Sequence, residues 1–187
     1  MRPEELLSIL SVAEKLKCNT RHSDTSSGRR ESVAEHSWRI SLMAMLLEDE
    51  FPDTDINKVI KMCLIHDLGE AFTGDIATFE KTEADTQRED QAYMDWIEKF
   101  PKVQKEQFME LLQEMSALET KEAKLYKALD KMEAVIQHNE ADISTWLPLE
   151  YDLQLTYGAK EVAFSPYLTQ LKECIDAWTR DKIEKSR

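Results

Sequence analysis

From Leu6 onward, apolar residues return every three to four positions along most of this 187-residue chain, and polar capping residues break the pattern at intervals. That period is the buried face of an α-helix, whose turn closes every ~3.6 residues. Composition points the same way, because the chain holds only 4 Gly and 5 Pro and can build few of the turns a sheet protein needs. The expectation is an all-α fold. Leu6, Leu7, Leu10, Ala13 and Leu16 predict a first helix from about Pro3 to Lys17. Cys18 to Glu31 loses the period and reads as a polar connector carrying Arg21, Arg29 and Arg30. Ser32-Val33-Ala34-Glu35 has the spacing of a capping box and predicts a second helix, with His36 in its first turn, running to Pro52.

Asp53-Thr54-Asp55 caps a third helix, whose apolar side includes Ile56, Val59, Ile60, Cys63 and Leu64, whose last turn holds His66-Asp67, and which Gly69 is expected to stop. Thr73-Gly74-Asp75 reads as a turn. A charged helix follows from Phe79 to Phe100, with Tyr93, Trp96, Ile97 and Phe100 facing inward, and Pro101 ends it. Phe108, Leu111, Leu112 and Met115 mark the next helix. Thr120 caps another that reaches Asn139 and has Asp130 in its middle, flanked by Leu129 and Met132. Asp142 to Tyr157 is less regular, and Ser165-Pro166 opens a final helix with serine at the cap and proline at the first position. The length fits a single domain over 1–187, with a motif-bearing core at about 30–140.

A formal net charge of −13 opposes sequence-independent binding to nucleic acid, which needs clustered Lys and Arg. Cys18, Cys63 and Cys174 are far apart, odd in number and form no CxxC, so neither a disulfide framework nor a zinc knuckle is indicated. The first residues lack a signal-peptide layout, and no apolar run approaches the ~18 residues of a membrane span. No membrane partner and a cytoplasmic location are expected.

The side chains suited to metal are unevenly spread. His36 stands at a helix start, His66-Asp67 at a helix end, and Asp130 on a helix between apolar neighbours. Taken singly, a histidine in a first helical turn is ordinarily a cap or surface group. A carboxylate at core spacing is different, because burial obliges it to find a metal, a cation or several hydrogen bonds; Lys127 and Arg21 are the alternative partners for Asp130. Cys63 lies three residues before His66, and a small buried residue is its favoured role over that of a soft-metal ligand. Two imidazoles with two carboxylates suit one divalent ion, with Mn, Co, Fe, Ni and Zn of the first transition row, and Mg, all admissible.

The order H…HD…D, formed by His36, His66-Asp67 and Asp130, resembles the HD-domain metal-dependent phosphohydrolase superfamily. The continuation His66-Asp67-x-x-Glu70-x-x-Thr73-Gly74-Asp75 is similar to its deoxynucleoside 5′-monophosphatase branch. The resemblance implies an HD-domain helical bundle, a metal held by His36, His66, Asp67 and Asp130, and catalytic roles for Glu70 and Asp75. It also implies that Arg21 binds the phosphate of a small nucleotide substrate. This chain departs from the branch at His22, where bacterial members usually carry a tryptophan, and at Ala77, where a proline often stands; both positions belong to the substrate side. The implied reaction is hydrolysis of a deoxynucleoside 5′-monophosphate. The alternatives are an HD hydrolase acting on an alarmone, a cyclic nucleotide or a triphosphate, and a non-catalytic metal-stabilised interaction module. The aromatic and leucine-rich stretch Trp146 to Tyr157 could serve a homodimer interface or ordinary core, and core is favoured.

Overall fold

Three helices carry the buried apolar stripes that the spacing predicted, and in the computed structural model, which describes residues 1–186, they pack against one another. They are α2 (Val33–Leu46), α3 (Ile56–Ile65) and α7 (Lys121–Glu140), preceded by α1 (Pro3–Ala13). Val33, His36, Ile40 and Ala44 recur on one side of α2 and are all buried. α3 answers with Val59, Met62 and Cys63, and α7 with Leu125, Leu129 and Met132. A fully buried Ile or Leu contributes roughly 1.5–3 kcal/mol. Several such residues per helix offset the several kcal/mol that desolvating each charged group at their junction costs.

Around this trio lie α4 (Glu70–Thr73), α5 (Glu83–Ile97), α6 (Lys102–Ala117), α8 (Glu150–Thr156) and α9 (Pro166–Lys185). The caps behave as the side chains require. Ser32 accepts from the Glu35 N–H while the Glu35 carboxylate takes the Ser32 N–H, and Asp55, Thr120 and Ser165 each accept from the N–H three residues on. The charged helix begins four residues later than Phe79, because Thr82 and Asp85 form a capping box that fixes its start at Glu83. Tyr93, Trp96, Ile97 and Phe100 do face inward. Between Asp142 and Tyr157 a short 3-10 turn at Ile143–Thr145 precedes α8, with Trp146 buried against His138 and Tyr151.

Residues 18–32 depart from expectation. They hold a two-stranded antiparallel hairpin of β1 (Thr20–Asp24) and β2 (Arg30–Ser32), with Thr20 opposite Ser32 and Asp24 opposite Arg30. Its inward side chains, Ser23, Glu31 and Ser32, are polar, so no apolar alternation announces it. Gly69 is also not the helix stop. α3 ends at Ile65, and Gly69 keeps a right-handed helical conformation with its Cα close to α5, where an added Cβ would lie 3.0 Å from Glu89 Cγ.

The conformational demand falls on Gly74, with φ 77° and ψ 167°, a region almost closed to residues with a Cβ. Gly74→Ala is expected to cost about 1–3 kcal/mol of stability, read as a lowered unfolding midpoint in denaturant, since no neighbouring atom crowds the site and backbone strain alone decides.

Candidate metal centre and its pocket

His36, His66, Asp67 and Asp130 arrive from three elements and meet at the junction of α2, α3 and α7. The Nε2 atoms of both histidines and an Asp67 oxygen lie within 4.8 Å of one another. Asp130 Oδ1 stands 3.3 Å from His36 Nε2 and 3.8 Å from His66 Nε2, while Asp67 Oδ2 stands 2.9 Å from His66 Nε2 and 3.9 Å from His36 Nε2. Ligand atoms that share one divalent ion at ~2.0–2.2 Å are separated by roughly 3–3.6 Å at ordinary angles. The donor spacing fits such an ion.

The ring orientations fit it as well. His66 Nδ1 lies 2.9 Å from the Cys63 carbonyl, an acceptor only, so that nitrogen carries the proton and Nε2 turns a lone pair into the site. Buried, His66 Nε2 makes no hydrogen bond, although a carboxylate oxygen is close by. Two acceptors face each other there, which a cation resolves. His36 is held from behind by the Glu133 carboxylate on Nδ1, leaving its Nε2 toward Asp130. Such an arrangement fixes the tautomer and orientation of a metal-binding imidazole. Cys63 is buried and free, and burial pushes its thiol well up, so it stays a thiol and packs as expected.

Asp130 uses its other oxygen to accept from Lys127 Nζ at 2.8 Å, and among the described residues it forms no ion pair with Arg21. Burial works against its charge, but Lys127 and the two imidazoles hold its carboxyl far below the usual range. Asp67 behaves likewise, with His66 and His36 outweighing burial. For His36, burial and Arg21 disfavour the charge, yet Glu133 and Asp130 raise it to about 9.

Arg21, on β1, is nearly buried, with Nε 3.2 Å from Glu31 and Nη1 3.8 Å from Asp67. Burial opposes its charge; Glu133, Asp67, Glu31 and Asp75 more than compensate, so it remains a guanidinium. Glu70 begins α4 and is 5% exposed, with Oε2 buried and unpaired. Burial, then the charges of Asp67, Asp75 and Glu89, push its carboxyl up to about 10, against the pull of Arg21. Asp75 is raised by burial too, with Arg21 pulling it down and Asp67 pushing it up. Arg29 and Arg30 stay outside: Arg29 grips Glu35 and Arg30 pairs with Asp24 at 3.5 Å.

Glu133, Glu31 and Asn19 escaped the sequence analysis. Glu133 lies between Met132 and Ala134 on the same helix as Asp130, so the argument from an acid at core spacing that singled out Asp130 applied to it equally. Glu31 was hidden by its place in an apparent connector; burial and Glu133 push it up to about 7 against Arg21. Asn19 donates to the Glu70 carbonyl at 2.6 Å and so ties the hairpin to α4. Because Glu133 orients His36, Glu133→Gln is expected to weaken metal affinity by about 10–100-fold while the protein stays folded. Competition with a chromophoric chelator measures this.

A pocket opens beside the centre. Arg21 and Asp75 form its near end, and His22, Phe79, His138 and Tyr157 line its body. Both positions of departure, His22 and Ala77, line it.

The family model described as HD domain matches residues 13–172, most of the chain. The chain belongs to the HD-domain family. A curated relative, human 5′-deoxynucleotidase HDDC2, is 32% identical over 60% of this chain and 55% of its own length, so the match spans about half of that relative. The crystal structure of a predicted metal-dependent phosphohydrolase from Magnetospirillum magnetotacticum superposes with a TM-score of 0.80 at 28% identity, covering 97% of this chain and 94% of that one. A conserved hypothetical protein from Pyrococcus furiosus gives 0.71 at 27% identity, over 93% and 99%. The fold agrees with the all-α expectation, the small hairpin apart. No helix among the described residues is long and apolar enough to cross a membrane.

Proposed function

We propose that this chain is a metal-dependent phosphomonoesterase that hydrolyses deoxynucleoside 5′-monophosphates to deoxynucleoside and phosphate. The observation that carries the reading is the convergence of two imidazole Nε2 atoms and two carboxylates next to the buried, unpaired carboxyl of Glu70. The similarity to chains named 5′-deoxynucleotidase supports the substrate class.

His36, His66, Asp67 and Asp130 would hold one divalent ion of the Mn, Co, Mg, Fe, Ni or Zn group. That ion supplies Lewis acidity toward a phosphoryl oxygen and lowers the pKa of water. The chain's own groups do the rest. Arg21 neutralises charge on the phosphoryl oxygens; its carboxylate neighbours keep it charged and fixed in place. Glu70 delivers its proton to the 5′-oxygen as the bond from that oxygen to phosphorus breaks, and regains one from the water that forms the new bond. Asp75 orients the sugar or the attacking water at the pocket's near end, and Phe79 and Tyr157 flank the nucleoside. Tyr157 is fixed by Lys131 Nζ at 2.6 Å and Thr78 at 3.0 Å. The net charge of −13 does not repel the substrate, because distant charges are screened beyond about 8 Å at physiological salt and Arg21 acts locally.

A phosphate-release panel tests the reading, with deoxynucleoside and ribonucleoside 5′-monophosphates, alarmones, cyclic dinucleotides and triphosphates offered in parallel. Turnover of deoxynucleoside monophosphates ahead of the others is expected. Preferred turnover of any other class overturns the substrate assignment.

A further inference from the structure

Outside the centre, a second group of metal-type side chains meets on the wall of the pocket: His22 from β1, His138 from the end of α7 and Glu150 at the start of α8. Glu150 Oε1 lies 3.0 Å from His138 Nε2 and 3.3 Å from His22 Nε2. Its Oε2 accepts the Leu147 N–H at 2.7 Å, which fixes the carboxylate and leaves Oε1 to the two rings.

The surroundings of the two rings turn both Nε2 atoms toward the same oxygen. His138 Nδ1 is 2.9 Å from the Ala134 carbonyl, an acceptor only, so the neutral ring carries its proton there and aims the Nε2 lone pair at a carboxylate oxygen. His22 Nε2 is buried without a hydrogen bond and faces the same oxygen. Two imidazole nitrogens and one carboxylate oxygen thus converge on a common point. Atoms bound tetrahedrally to one ion at ~2.0–2.1 Å lie roughly 3.3 Å apart, near the spacing found. Two His with one Glu is also a donor set that zinc accepts while keeping a position open.

We infer that His22, His138 and Glu150 form a second divalent-cation site, of the borderline Zn(II) type, with its open position on the pocket that Arg21 and Asp75 share. The inference stands on these three residues and does not depend on the phosphomonoesterase reading.

Zinc stoichiometry tests it. The full chain is stripped with chelator, reloaded with Zn(II) alone, dialysed, and its metal content measured beside Glu150→Gln, His22→Gln and Asp130→Asn. Wild type is expected to retain two zinc ions per chain, and each of the three variants one. Co(II) substitution adds a readout independent of activity: the intense visible absorption of four-coordinate cobalt should be lost in Glu150→Gln and kept in Asp130→Asn. His22 is partly exposed, so its variant remains informative should Glu150→Gln unfold. Retention of one ion by wild type, or of two by both pocket variants, overturns the site.

Discussion

Asp130→Ala should leave a folded protein that loses the divalent ion shared by His36, His66 and Asp67 and releases no phosphate above background. Asp130 gives one oxygen to the space between the two imidazoles and the other to Lys127. Without it, His36 and His66 keep only Asp67 as a carboxylate partner, and Lys127 adds uncompensated positive charge beside the position of the ion. Loss of a group that merely orients a ligand costs about 10–100-fold in affinity, so loss of a direct ligand together with its screening of Lys127 should exceed about 100-fold. The fold should survive, because Lys127 is partly exposed and can turn to water, and the neighbouring Leu129 and Met132 remain packed. Metal content after dialysis and phosphate release, measured on the same preparation, check the result. Full retention of both would remove Asp130 from the centre.

Glu70→Gln should separate function from stability in the opposite direction. The amide has the shape of the protonated acid but cannot give up a proton, so turnover should fall about 10²–10⁴-fold while the metal stays bound. The metal-free variant should meanwhile be more stable than wild type. In the folded chain the Glu70 carboxyl is pushed up to about 10, first by burial and then by Asp67, Asp75 and Glu89. Unfolded, it titrates near ~4.3. Between those values the native state binds more protons than the unfolded state, so this group makes stability fall as pH rises from about 5 toward 10. Glutamine removes that dependence. At neutral pH the gain should be about 1–3 kcal/mol, or several degrees in the unfolding midpoint. Thermal unfolding of both metal-free proteins from pH 5 to 9 measures it; parallel curves would show that Glu70 ionises freely in its site.

Legibility in the sequence followed the kind of force at work. α2, α3 and α7 were readable because burial imposes a period on apolar residues, and because Ser32, Asp55 and Thr120 cap with short side chains whose role is local. Asp130 was readable for the same reason in reverse, as an acid on an apolar stripe. The hairpin at residues 20–32 was not, since polar Ser23 and Glu31 occupy its buried side and its stability comes from partners distant in sequence. Glu31 exists as a site residue only through Arg21, and such a contact leaves no periodic trace, whereas Glu133 shares the apolar stripe of Asp130 and was legible on the same ground. His22 was recognised as a departure, but its meeting with His138 and Glu150 needed the approach of α8 to α7, across the stretch where the period was weakest.

The measurement closest to the central claim is inorganic phosphate released from a deoxynucleoside 5′-monophosphate by chelator-stripped protein, before and after Mn(II), Co(II) or Mg(II) is added. Stripped protein should be inactive, at least one of these ions should restore turnover, and Asp130→Asn should not respond. Phosphate release that survives stripping, or that no ion elicits, would contradict a metal-dependent phosphomonoesterase built on His36, His66, Asp67 and Asp130.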